Sequence, residues 1–174
     1  MIKALIFDLD GTLVNTELLH YQAWQKILLQ NGVAEFTTER FLDYVGTSNE
    51  KVAADYISSH EMKKSVEELV LEKQAVYMEL IPEIELCDGV RQILEQYRGT
   101  LELAVASSSH KREIVAILES HGIADYFSEV IGGDMVTRKK PDPEIYLKVQ
   151  SLLGVSVTEC LGFEDSGHGL NAAK

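Results

Sequence analysis

Two periodicities alternate along the chain. Short apolar runs at residues 3–7, 101–106, 128–131 and 159–163 have the length and composition of buried strands. Amphipathic stretches with helical spacing lie between the last three or beside them, at 89–97, 113–118 and 143–149. The second of these ends before Gly122, and the third opens on Pro143, whose missing N–H costs nothing in a first helical turn. Strands alternating with helices in this way predict a parallel sheet with helices on both faces, an α/β fold. Residues 15–87 break the rhythm, with no strand pattern and several helical ones. The first runs over 16–30, with Leu18, Tyr21, Trp24, Ile27 and Leu28 on one stripe, and stops at Asn31-Gly32. Another begins at Ser65, with Glu68 three residues on, the spacing of a capping box. The expected organisation is a discontinuous core, 1–14 and 88–174, interrupted by a helical domain at 15–87. The last residues, Asn171-Ala172-Ala173-Lys174, read as the inside of a helix. A fourth strand left at a sheet edge would expose unpaired backbone groups, so the core is expected to continue beyond Lys174, a C-terminal truncation.

Composition narrows the partners more than the fold. In 174 residues, 45% are apolar and 25% charged, ordinary values for a globular chain of one core with a modest insertion. A net charge of −12 argues against nucleic acid and against anionic membrane surfaces. No apolar run approaches a membrane span, and Asp8 and Asp10 interrupt the first one too early for a secretory signal. Cys87 and Cys160 form no CxxC pair and read as free, buried thiols, which places the expected location in the cytoplasm. No heptad pattern points to an oligomer, so a monomer is expected.

The polar residues at the strand ends carry the candidate chemistry. Asp8 and Asp10 follow the first strand at i, i+2 spacing, the same face of an extended chain, where open α/β sheets place ligands. Adjacent like charges need a metal or a shared proton to offset them. Ser107-Ser108-Ser109 ends the second strand, offering hydroxyls and amides to an anion. The basic cluster Arg138-Lys139-Lys140 precedes Pro141-Asp142-Pro143, and Glu164-Asp165-Ser166-Gly167 ends the fourth strand. Taken singly, each has a plain reading: Ser107 as a helix cap, Lys140 as a solvated charge, Glu164-Asp165 as an exposed turn.

Taken in order, the four motifs Asp8-x-Asp10-Gly11-Thr12, Ser107, Lys140 and Glu164-Asp165 closely resemble those of the haloacid-dehalogenase-like superfamily. The runs 140–146 and 162–166 resemble its β-phosphoglucomutase-like branch, and the resemblance extends over essentially the whole chain. It implies a Rossmann-like core with an inserted helical cap and phosphoryl transfer through an aspartyl-phosphate on Asp8. Asp10 would act as general acid and base. Mg²⁺ would be held by the Asp8 carboxylate, the Asp10 backbone carbonyl and Asp165, with Glu164 as a direct or outer ligand. Ser107, with Ser108 beside it, and Lys140 would hold the phosphoryl oxygens. Asp10 excludes the dehalogenase and phosphonatase branches, which carry an aromatic or a small residue there. In the insertion, Thr16 and His20 match a Thr and a His that contact the acid/base and the sugar, and Lys73 matches a cap lysine; the plain alternatives are an N-cap, a surface histidine and a solvated lysine. Trp24, Tyr44 and Tyr77 are aromatic candidates for stacking on substrate, with core packing the commoner use. The mutases carry an arginine after a Gly-x-Ser turn; here Gly46-Thr47-Ser48 is followed by Asn49, which lacks a cationic fork. Thr12 also resembles the phosphatases. The reading is therefore a Mg²⁺-dependent phosphatase of a small phosphorylated metabolite, expected to be a sugar phosphate. The alternatives are a β-phosphoglucomutase-type transferase and an inactive anion-binding fragment.

Overall fold

The computed structural model describes residues 1–45 and 47–174. The chain falls into two compact units, one made of Met1–Thr16 with Ile84–Lys174 and the other of Glu17–Glu83. The first unit is a four-stranded, all-parallel sheet. Its strands are β1 (Ala4–Phe7), β2 (Glu102–Ala106), β3 (Glu129–Ile131) and β4 (Cys160–Phe163), in the order β3-β2-β1-β4. Each lies within a residue of its expected position. β1 is buried along its whole length, which its unbroken Ala4-Leu5-Ile6-Phe7 run requires of a strand covered on both faces.

Alternation across the pleat divides the core. Ile6, Ala104, Ala106 and Ile131 point to one face and pack with Ile145, Tyr146 and Val149 of α7 (Glu144–Leu153) and with Ala172 of α8 (Gly167–Ala173). Leu5, Phe7, Leu103 and Val105 alternate to the other face and are just as buried. There Phe7 meets Phe127 edge-on, and α5 (Val90–Tyr97) and α6 (Lys111–Ser120) bury Leu94, Ile114, Ile117 and Leu118. The chain runs outward from β1 to β2 and β3, then returns to β4 on the other side of β1. That reversal opens a crevice beyond the carboxyl ends of β1 and β4, the place where such sheets bind ligands.

The second unit is helical: α1 (Glu17–Gln30), α2 (Thr38–Leu42), α3 (Asn49–Ser59) and α4 (Val66–Leu80), with α1 and α3 packed on α4. α1 starts one residue later than its pattern predicts. Its buried face is Leu19, Ala23, Trp24, Ile27 and Leu28, so the expected stripe is rotated by one position and Leu18 is exposed. Trp24 and Tyr77 are core residues, each 1% exposed. Ser65 and Glu68 form the expected capping box on α4: the Glu68 N–H donates to Ser65 Oγ at 3.1 Å and the Ser65 N–H to Glu68 Oε2 at 2.7 Å. Among the described residues no helix is long and apolar enough to cross a membrane.

Trp24 is the chain's only tryptophan, and its fluorescence reports on the helical unit alone. Ser65→Ala should lower the urea midpoint of that signal by the equivalent of about 1 kcal/mol. An unchanged midpoint would show that the box contributes nothing to α4.

Candidate active site

Asp8 continues β1 directly, its N–H donating to the Phe163 carbonyl at 3.0 Å, so the ends of β1 and β4 are locked side by side. Stacked Phe7 and Phe163, with centroids 4.7 Å apart, hold the same two strand ends together. Glu164 and Asp165 follow β4 immediately. Carboxylate oxygens of Asp8, Glu164 and Asp165 lie within 4.8 Å of one another, the only such metal-competent group among the described residues.

Two close approaches make room for that crowding. Gly11 adopts φ +78°, and a Cβ there would stand 2.1 Å from Asp165 Oδ2. At Gly169, in the first turn of α8, a Cβ would stand 1.8 Å from Glu164 Oε2. Glycine at these positions is a requirement of the acids.

Lys140 is the counter-charge. Its ammonium donates to Asp8 Oδ1 at 2.8 Å, to the Ala106 carbonyl at the end of β2 at 2.9 Å, and to Glu164 Oε1. The side chains of Lys140, Asp8 and Glu164 are 6%, 9% and 1% exposed, so the lysine is a buried partner of two buried acids and not a solvated charge. Burial pushes the Asp8 carboxyl up to about 7; Lys140 pulls it down, while the charges of Glu164 and Asp10 push it further up. A nucleophilic carboxylate in this position needs more positive charge than one lysine provides. The donor set, carboxylate oxygens alone at a partly open strand end, suits a small hard cation such as Mg²⁺.

Asp10 faces a different environment. Thr16 Oγ1 donates to its Oδ1, and the hydroxyls of Ser107 (3.2 Å) and Ser109 (2.8 Å) donate to its Oδ2. The Ser109 N–H in turn donates to Ser107 Oγ at 3.0 Å. Ser107 is fully buried.

Some expected residues sit elsewhere. Ser108 is exposed, and the hydroxyl that reaches Asp10 beside Ser107 is that of Ser109, which the sequence reading did not select. Thr16 precedes α1, which begins at Glu17, and lies in the sheet unit, where its hydroxyl makes the contact to Asp10 that the resemblance implies. His20 lies in the helical unit, with Lys73 Nζ 2.7 Å from its Nδ1 and its ring stacked on Tyr77 at 4.5 Å. Lys73 is fully buried, its ammonium 4.7 Å from the Tyr77 ring centre. Neither residue is the surface group that the plain alternatives described. Gly46 lies outside the described residues; Ser48 caps α3 and Asn49 opens it. Tyr146 was also missed: its hydroxyl donates to Glu164 Oε1 at 2.5 Å.

Comparison with known proteins agrees with this geometry. A model of the family described as haloacid dehalogenase-like hydrolase matches residues 5–174. A phosphorylated carbohydrates phosphatase of Thermotoga maritima is 34% identical over 99% of this chain and 81% of its own length. The crystal structure of CbbY from Rhodobacter sphaeroides in complex with phosphate superposes with a TM-score of 0.82 at 29% identity, covering 99% of this chain and 82% of that one. The structure of a β-phosphoglucomutase from Clostridium difficile gives 0.78 at 27% identity over 99% and 80%. A match from the first strand to the last residue, on a sheet that ends in this acid–lysine cluster, shows that the chain belongs to the haloacid dehalogenase-like hydrolases, in their β-phosphoglucomutase-like branch.

Proposed function

We propose that this hydrolase cleaves a sugar phosphate in two displacements through Asp8. The observation that carries the reading is the position of Asp8, buried at the end of the central strand between Lys140 and a cluster of acids. In the first step a carboxylate oxygen of Asp8 attacks phosphorus and the bond to the sugar oxygen breaks. Asp10 gives its proton to that departing oxygen. In the second step Asp10, now ionised, takes a proton from water, the water oxygen attacks phosphorus, and the Asp8–phosphorus bond breaks to release inorganic phosphate. Asp8, Glu164 and Asp165 would hold Mg²⁺, joined by the Asp10 backbone carbonyl. Bound there, Mg²⁺ would neutralise charge on the carboxylates and on the phosphoryl oxygens. Lys140 and Ser107 would bind the remaining phosphoryl oxygens, a task of positioning and charge stabilisation.

The two aspartates have surroundings suited to these different tasks. Asp8 is paired with an ammonium, which offsets part of the cost of its buried charge. Asp10 is held by three neutral hydroxyls, which fix its direction without adding charge. We assign selection of the sugar to the helical unit, with His20 and Lys73 as its polar contacts. Lys73 has only protons to offer, so His20 Nδ1 accepts and Nε2 keeps the N–H, a donor suited to a sugar hydroxyl. The relatives support a phosphorylated carbohydrate as substrate: one is named as a phosphorylated carbohydrates phosphatase, another as a fructose-1-phosphate phosphatase of Escherichia coli. Likeness to a β-phosphoglucomutase favours a second reading, in which a hydroxyl of the substrate replaces water in the second step. Asn49 weighs against it, because it provides no cationic fork for a second phosphate.

Inorganic phosphate release from a panel of sugar phosphates should depend on Mg²⁺, and Asp8→Asn should lower kcat by on the order of a thousandfold or more. Folded protein that releases no phosphate would overturn the hydrolase; phosphate moving between sugar positions would establish the transferase instead.

Ser109→Ala removes one of the two hydroxyls on Asp10 Oδ2 and one support of its direction. It should lower kcat by roughly ten- to a hundredfold with KM little changed, since misplacing a catalytic group is felt mainly in the transition state. Steady-state kinetics on the best substrate of the panel will show whether KM moves instead.

Burial, reinforced by Lys73, lowers the His20 pKa to about 3 from its ordinary 6.5. Below pH 6.5 the unfolded chain takes up a proton that the folded helical unit refuses until near pH 3. Stability is therefore lost as pH falls through that window, by up to about 1.4 kcal/mol per pH unit. Trp24-detected melts of His20→Gln should be flatter between pH 6.5 and 4 than those of the parent; parallel slopes would place the acid sensitivity elsewhere.

A further inference from the structure

Tyr146 stands in two environments at once. Its ring belongs to the apolar layer between the sheet and α7, packed with Ile6, Ala106, Ile145 and Val149, and the residue is 8% exposed. Its hydroxyl leaves that layer and donates to Glu164 Oε1 at 2.5 Å. The Lys140 ammonium, which donates to the same oxygen, lies 5.3 Å from the centre of the Tyr146 ring. Lys140 and Tyr146 come from one connected piece of chain, the loop entering α7 and the third residue of that helix.

Glu164 is thereby fixed from several sides. Oε1 accepts from a phenol and an ammonium, whereas among the described residues Oε2 accepts only from the Ser166 hydroxyl, at 3.3 Å, and lies in the space left by Gly169. A glutamate has three rotatable side-chain bonds, and ordering it costs conformational entropy. Here Oε1 is occupied and the carboxylate plane is set, which leaves lone pairs of Oε2 to spare.

We propose that the Tyr146 hydroxyl is a positioning group for the cation site, holding the Glu164 carboxylate in its place within the Asp8–Glu164–Asp165 group. The inference rests on the reading of Asp8, Glu164 and Asp165 as the Mg²⁺ ligands. Groups that orient a metal's ligands from behind typically change its affinity ten- to a hundredfold when removed. Tyr146→Phe deletes one oxygen and keeps the ring, its packing and the lysine above it.

The test is Mg²⁺ titration by calorimetry of the substrate-free parent, Tyr146→Phe, Glu164→Gln and the double variant, beside thermal melts in EDTA. The expected result is a Mg²⁺ Kd at least tenfold weaker in Tyr146→Phe, and no further weakening when the change is added to Glu164→Gln. The melts in EDTA establish that each variant is folded, so that a weaker Kd reports on the site and not on loss of structure. A parent-like Kd in Tyr146→Phe, with Glu164→Gln weakened, would overturn the role of Tyr146 and leave the metal reading intact. A parent-like Kd in Glu164→Gln would overturn both. Full additivity in the double variant would also overturn the proposal, because Tyr146 would then not act through Glu164.

Discussion

One ammonium shared by two buried carboxylates is the interaction around which the sheet unit is arranged. Lys140 reaches Asp8 after β1, the carbonyl that ends β2, and Glu164 after β4. Removing such charges from water is expensive, and the attraction between them repays the cost only when every donor and acceptor is used. That requirement accounts for several otherwise unrelated features: the Ala106 carbonyl turned to the lysine, the Tyr146 phenol on Glu164, and the two glycines that let carboxylates lie against backbone. The strand order serves the same end, since β1 can be flanked by both β2 and β4 only if the chain reverses direction across the sheet.

Two aspartates two residues apart are thus held by opposite means. Asp8 is in a field of formal charge, where a change in one neighbour alters the state of the others. Asp10 is held by hydroxyls donated from three positions, Thr16, Ser107 and Ser109, on two segments of chain. In the proposed reaction, charge suits Asp8 as the nucleophile, and the hydroxyls set the direction of the Asp10 carboxyl. Separating a pair of carboxylates by environment is a general way for one site to obtain two functions from one residue type.

The strands and most helices were legible because burial on both faces writes unbroken apolar runs, and because caps and prolines mark helix starts. α1 shows the limit. Its apolar residues fit two adjacent stripes, and Leu18 or Leu19 is chosen by which one meets α4, a fact absent from local spacing. In the site, Asp8, Lys140 and Glu164 could be singled out because each ends a strand or opens a helix beside a recognisable motif. Ser109 could not be told from Ser108 in a run of three serines; the turn that buries Ser107 and exposes Ser108 makes the choice. Tyr146 sits on the apolar stripe of α7, where a tyrosine reads as one more core aromatic. Only the register between α7 and β4 brings its hydroxyl to an acid.

The first turn of α8 inverts a common rule for making proteins sturdier. Glycine is a poor helix former, and replacing one inside a helix by alanine ordinarily gains about 1 kcal/mol. Gly169 looks like such an opportunity. Yet the methyl group that helix propensity recommends would occupy the place of a Glu164 oxygen. A thermostabilisation campaign guided by local propensity would select this substitution early and displace the acid from its slot. The weakness of that turn is the space in which a charged side chain lies, and engineering for robustness should begin elsewhere.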